Sequence, residues 1–271
     1  MTETRSIDDE VAPKLADMWS VSGQLLHTPD YRHTHAALLA AAIGTRDQSL
    51  LDAACGTGFP LIELRRLGFT DLTGADADAD LLARFRATIA ADAALADWRP
   101  DLIEATWQRL PQVIARRFDV VLNVDAAIGF MDSWAPGEMR VGGAAIFARV
   151  VEVLRNFHAV TKPGGRFLIG LQKNNHKGNS YYPMEVGRMS LGGVEATAQW
   201  NMSYDWDRRI KTWVNLVTLD GRTHSQTRQS YLFDLAELAD FLMAAGFAKV
   251  ERLATPDALY EDILIAHRGA A

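Results

Sequence analysis

Two features at a fixed spacing are the chemistry-bearing part of this chain. In Leu50–Leu64, LLDAACGTGFPLIEL, a short apolar strand runs into Gly56-Thr57-Gly58 and a helix begins directly after. Glycines take up positive φ and let the backbone approach a ligand closely, and a helix start adds unpaired N–H groups. Asp76, in GADAD, stands at the end of the next predicted strand. A carboxylate at that place can accept both hydroxyls of a ribose.

Two cofactor classes use such a turn. A nicotinamide dinucleotide would set a diphosphate on it and ask for a third glycine where this chain has Leu61, and Asp52 would oppose the anion. S-adenosylmethionine (SAM) has no phosphate, and its cationic amino-acid end suits neighbouring carboxylates. The residues favour SAM. A tight glycine turn without a ligand is the structural alternative.

The elements that must position these residues alternate. Helices are predicted over Ser6–Leu26, His33–Ile43, Leu61–Leu67, Leu81–Ala94 and Gly142–Val160, the last closed by Lys162-Pro163-Gly164-Gly165. Strands are predicted over Ser49–Ala53, Asp71–Ala75, Asp101–Ala105, Phe118–Val124 and Arg166–Leu171. Such βα alternation builds a parallel sheet with helices on both faces. The pattern then changes: Trp200, Met202, Tyr204 and Trp206 alternate with polar residues, the period of a strand. Strands Lys211–Leu219 and Thr223–Phe233 meet at Asp220-Gly221, a hairpin signal. Helix Asp234–Ala245 and strands Val250–Leu253 and Asp262–Ala266 close the chain. The expected fold is α/β: a Rossmann-like, seven-stranded, mostly parallel sheet. Residues 1–47 form an N-terminal helical lid. Residues 48–175 and 231–271 form the cofactor-binding domain, and 176–230 an inserted antiparallel cap.

Composition narrows the class. The 271 residues carry 28 Lys+Arg against 34 Asp+Glu, a net charge of −6, which argues against nucleic acid or an anionic membrane as the main partner. The longest apolar run, Ala36–Ile43, falls short of the ~20 residues a membrane span needs. One cysteine, Cys55, excludes an intrachain disulfide and fits a reducing compartment. The start, MTETRSIDDE, has no apolar stretch of a signal peptide. A cytoplasmic protein is expected. His33-x-His35 is the one close histidine pair and no further ligand completes it, so no metal is expected. Cys55 reads as packing rather than as a nucleophile.

The motif D-A-A-C-G-T-G resembles the first motif of class I SAM-dependent methyltransferases. Thr106-Trp107 resembles the adenine-binding position, FDVVLNVD the fourth-strand motif, KPGGRFLI the turn before the fifth strand and YLFDLAELADFLMAAGF the late helix. Together they cover residues 30–175 and 230–267. Within that superfamily, LLDAACGTG, EATW, FDVV, Gly164-Gly165 and Lys173-Asn174 resemble the glycine N-methyltransferase group of small-amine N-methyltransferases. The resemblance implies that Arg32, Asp52, Ala54, Gly56, Gly58, Asp76, Ala77, Thr106, Trp107 and Val124 bind SAM. Arg32 would hold its carboxylate, or else form an exposed salt bridge. It also implies a group near the methyl-transfer point at Asp125, whose carboxylate would orient a substrate amine or cap a helix.

Asp125 and Tyr182 are the catalytic candidates. Gln172, Asn174, His176, Tyr181 and Tyr204 join Asp125 as substrate-binding candidates. Trp200, Tyr204 and Trp206 would wall the pocket, since aromatic faces attract cations, or pack the cap in place. The family's carboxylate-gripping arginine falls at Gln172 and its asparagine and histidine at Ala126 and Phe130. Poor turnover of glycine is therefore expected, with Arg188 as the cap residue able to restore it. The function implied is methyl transfer to a small-molecule acceptor, foremost an amine or heterocyclic nitrogen. Transfer to oxygen or carbon, and a SAM-binding regulatory module without turnover, are the alternatives. A homo-oligomer is compatible with the sequence.

Overall fold

The computed structural model describes residues 15–132, 143–173, 180–191, 194–219 and 221–270. Helices are α1 (Leu15–Leu26), α2 (Pro29–Ile43), α3 (Leu61–Arg66), α4 (Ala79–Ala91), α5 (Leu110–Val113), α6 (Ala145–Val160) and α7 (Leu235–Ala244). Strands are β1 (Leu50–Asp52), β2 (Leu72–Asp76), β3 (Asp101–Glu104), β4 (Phe118–Asn123), β5 (Thr161–Gln172), β6 (Ser180–Leu191), β7 (Val194–Asp205), β8 (Ile210–Leu219), β9 (Arg222–Tyr231), β10 (Lys249–Leu253) and β11 (Glu261–His267).

Seven strands form one sheet in the order β10-β11-β5-β4-β1-β2-β3. Strands β1 to β5 are parallel, whereas β11 runs antiparallel to both β5 and β10. Helices cover both faces, which is why the central strands read as unbroken apolar runs rather than alternating ones. Leu39, Leu61, Leu82 and Phe85 of α2, α3 and α4 pack with Leu50, Val120 and Leu168 on one face. Val150, Phe157 and Leu242 of α6 and α7 pack with Leu51, Val121 and Phe167 on the other. Asp234 caps α7 through a reciprocal capping box with Glu237. From β1 the chain moves outward to β2 and β3, then returns to lay β4 on the other side. This reversal opens a crevice beyond the carboxyl ends of β1 and β4.

Strands β6 to β9 make a separate antiparallel sheet. Its period-two pattern buries Trp200, Met202, Tyr204, Lys211, Trp213, Asn215, Arg228 and Ser230. Helix α1 lies against this face: Met18 and Leu25 pack on Ala198 and Val217, and Ser22 Oγ donates to Asn215 Oδ1 at 2.8 Å. Phe130, just beyond β4, packs into a second cluster on this face with Trp200, Met202, Tyr204 and Trp213.

Two details differ from the sequence expectation. Strand β6 carries no clean alternation to read, because Pro183 and Gly187 interrupt it and its register slips between Glu185 and Gly187. Lys162-Pro163-Gly164-Gly165 lies inside β5 rather than before it, and the β4–β5 register shifts there. The expected helical segments before Leu15 and at Gly142 lie outside the described residues. No described helix is long and apolar enough to cross a membrane.

Candidate functional site

The turn after β1 is built around a glycine that nothing else can replace. Gly58 has φ +112°, and a Cβ there would come within 2.5 Å of the Phe85 ring. The Gly56 N–H donates to Asp76 Oδ2 at 2.9 Å, and the Asp78 N–H to Asp76 Oδ1 at 2.9 Å. One carboxylate thus ties the glycine turn to the end of β2. The Ala54 N–H donates to Asp52 Oδ1 at 3.1 Å. From the β3 side, Trp107 Nε1 donates to the Ala53 carbonyl, and the indole packs on Phe157. Thr106 and Ala77 are exposed beside it, and Val124 is buried under the end of β4.

Acidic groups gather where β1, β2 and β4 end and the antiparallel β11 begins. Asp52 is 1% exposed, and its Oδ2 has no hydrogen-bond partner. Burial, aided by the charges of Asp76, Asp125 and Glu261, pushes its pKa up to about 8. Burial also raises Asp76, against the N–H groups of Asp78 and Gly56. Cys55 is buried, and burial together with Asp52 and Asp76 pushes its thiol up, which makes it a poor nucleophile.

Asp125 and Ala126 follow β4 with φ of +64° and +52°, a left-handed pair that non-glycine residues adopt only under constraint. The constraint is visible. The Ala126 N–H donates to Glu261 Oε2 at 3.0 Å, and Asp125 Oδ1 lies 3.0 Å from His27 Nε2. Although burial opposes it, the His27 imidazole holds the Asp125 carboxyl below the usual carboxylate range. The Asp125 side chain stays 41% exposed, so it is open to a ligand. A second pair, His35 Nε2 and Glu261 Oε1 at 2.6 Å, is completely buried. Tyr31 stacks between the two imidazoles, 5.0 Å from His27 and 5.7 Å from His35.

The sequence reading assigns no role to His27, Tyr31 or Glu261, and none to His35 beyond the close pair with His33. The partner of His35 comes from the far end of the chain. Among the described residues no cluster of three or more metal-ligating side chains occurs. A signal was present in Gly170, which interrupts the apolar strand β5. A Cβ there would overlap the Glu261 carboxylate. Glycine inside a strand marks such a close approach.

The other expected residues divide. Arg32 Nη2 pairs with Glu63 of α3 at 2.6 Å, and its guanidinium lies over the Phe59 ring. It therefore braces the glycine turn. Gln172 ends β5 in register with Glu261, and its Oε1 accepts from Lys211 Nζ. Tyr204 is buried beside that lysine, whereas Tyr181 is 64% exposed on the outer side of the cap. Tyr182 pairs with Met202 through its backbone. Asn174 and His176 lie outside the described residues. Arg188 pairs with Glu195 on the surface.

Residues 26–252 match the family model described as "Methyltransferase domain". A search of curated proteins returns no match. Among solved structures, the chain is similar to DesVI from Streptomyces venezuelae, with a TM-score of 0.70 at 19% identity over 96% of this chain and 100% of that one. It is also similar to CalS10, an amino pentose methyltransferase from Micromonospora echinaspora solved with SAM, with a TM-score of 0.69 at 17% identity over 92% and 96%. The sugar N-methyltransferase KedS8 from Streptoalloteichus sp. gives 0.65 at 16% identity over 99% and 98%.

Proposed function

The chain belongs to the methyltransferase-domain family, and on that premise we propose that it transfers a methyl group from SAM to a nitrogen of a small-molecule acceptor. The observation that carries the reading is the buried acidic cluster at the strand crevice, with the Asp52 Oδ2 left unpaired and its carboxyl raised to about 8. A cationic cofactor fits such a cluster, and a diphosphate does not. Asp76, already fixed by two N–H donors, would take the ribose hydroxyls. The Gly56–Gly58 backbone would allow close approach, and Ala77, Thr106 and Trp107 would flank the base. The small-amine N-methyltransferase resemblance and the similarity to KedS8, a sugar N-methyltransferase, support nitrogen as the target. The chain divides accordingly into a lid (1–47), a cofactor domain (48–175 and 231–271) and a cap (176–230).

When bound, SAM supplies a methyl group already activated on its sulfonium. The protein's own task is positioning, which can contribute on the order of 7–11 kcal/mol. Asp125, kept ionised by His27, accepts an N–H of the acceptor amine and turns its lone pair inward. His35 holds Glu261, and Glu261 holds the Ala126 N–H, so the left-handed turn that aims Asp125 is braced from behind. Helix α1 and the cap exclude water above.

Two measurements test this. Calorimetry should show SAM binding and no NAD binding. Radiolabelled SAM with a panel of amines and phenols should label amines. Labelling of phenols alone would overturn nitrogen as the target, and SAM binding without labelling would favour a regulatory module.

A further inference from the structure

We propose that Lys211 is a positioning residue that fixes the amide of Gln172, so that the acceptor is gripped through an oxygen bearing lone pairs, an anionic oxygen being preferred. The inference rests on the functional reading above and names the acceptor's second handle.

Lys211 is 1% exposed, and its Nζ donates to Gln172 Oε1. The amine also lies 3.7 Å from the Trp213 ring centroid and 4.8 Å from that of Tyr204. Trp213 is itself fixed. Its Nε1 donates to Ser230 Oγ at 2.8 Å, Trp200 meets it edge-on at 5.3 Å, and Phe130 packs at 5.6 Å. The lysine is held against these rings, and among the described residues its side-chain hydrogen bond goes to Gln172.

A lysine amine brings N–H donors, so the Gln172 oxygen is committed to it and the amide nitrogen is what remains to offer. One N–H of that nitrogen leans on Met202 Sδ at 3.9 Å, a weak acceptor. The other is available at the carboxyl end of β5, where Gln172 is half-buried. Among the described residues, Lys211 pairs with no carboxylate. An unpaired buried ammonium is costly, and burial accordingly lowers the Lys211 pKa. A ligand anion next to Gln172 would supply the missing countercharge and polarise the amide N–H toward itself. Of the neighbouring acidic groups, the open Asp125 carboxylate suits the N–H groups of an amine, whereas both Glu261 oxygens are taken by His35 and the Ala126 N–H. An acceptor with an amine at one end and an oxygen anion at the other matches this polarity. Lys173 is engaged elsewhere, its Nζ donating to the Pro256 carbonyl. Arg188 is spent on Glu195 at the surface.

The test compares matched amines that differ only in carboxylate against carboxamide or alcohol. The panel includes β-alanine with its amide, and glucosamine with its 6-carboxylate counterpart. With radiolabelled SAM, the acid member should have the higher kcat/KM, and the advantage should lie in KM. Lys211→Met should shrink that acid preference about 10- to 150-fold, the range for a hydrogen bond to a charged group. Gln172→Glu, which would neutralise the lysine from within, should reverse it and does not depend on refilling the space of the buried lysine. Equal kcat/KM for both members in the wild type, or an unchanged preference in both variants, would overturn the inference. If SAM binds but no amine is labelled, the functional reading fails instead. The anchor is then read by calorimetry of each acid and its neutral partner on protein saturated with S-adenosylhomocysteine, and equal affinities there would overturn it.

Discussion

The carboxyl edge of the seven-stranded sheet and the inner face of the four-stranded sheet bury ionisable groups of opposite kind, acidic in the first and basic in the second. At the edge, Asp52, Asp76 and Glu261 are buried and Asp125 faces the crevice, with two imidazoles as partial compensation. On the inner face Lys211, over the Trp213 and Tyr204 rings, and Arg228 are buried, and burial brings Arg228 down to about 10. The two regions meet at Gln172. The difference teaches how each kind of site is encoded. The acidic edge comes mainly from short segments in which a strand, a turn and a helix follow one another. The basic face comes from consecutive hairpin strands, and its lysine finds its hydrogen-bond partner only where that sheet meets Gln172 of β5. The first should govern the cofactor, the second the acceptor, and substitutions can separate them.

The largest effect should come at the edge. Asp76→Ala removes a charged acceptor from the proposed ribose site and should weaken SAM about 10- to 150-fold, while Tyr204→Phe on the cap should shift SAM affinity less than about threefold. Calorimetry of the two variants side by side checks the pair, and a reversed order would break the division of labour. Next, Gly170→Ala should destabilise the fold by about 1–3 kcal/mol through overpacking, read by urea unfolding. It should also disturb the Asp125 turn through Glu261.

The third effect depends on pH. With Asp52 raised to about 8, the folded protein keeps a proton that the unfolded chain releases near pH 4. Between those values, raising the pH therefore favours unfolding, and stability should fall by up to about 1.4 kcal/mol per pH unit before levelling above pH 8 or so. Unfolding titrations across that window should show the slope in wild type and its loss in Asp52→Asn. A wild-type slope of zero would mean the carboxyl is solvated. Smallest of all, Arg188→Ala breaks only an exposed pair with Glu195 and should change stability by less than about 0.5 kcal/mol. It should leave acceptor turnover as it was.

Much of this architecture was readable in the sequence. The strand-turn-helix around Gly56 and Gly58, the spacing to Asp76 and the apolar run of β4 are local, so residue type and order suffice. Strand β6 was not readable, because Pro183 and Gly187 erase its alternation. His27 and His35 gave no usable sign, since each is defined by a carboxylate far along the chain. Lys211 looked like one more polar position in an alternating strand. Its meaning depends on how the cap sheet is laid over Gln172, which no local pattern encodes. Arg32 was read for its place ahead of β1, and its partner Glu63 sits on the first helix after the turn.

Gly170 and Glu261 have a consequence for sequence drift. Because the carboxylate occupies the space a side chain at 170 would need, neither position can change freely while the other stands. An alanine at 170 becomes tolerable only after the glutamate has shortened, and a shortened glutamate leaves His35 and the Ala126 N–H without their acceptor. The two sites are one heritable unit, and exchange between them must pass through a form in which Asp125 has lost its aim.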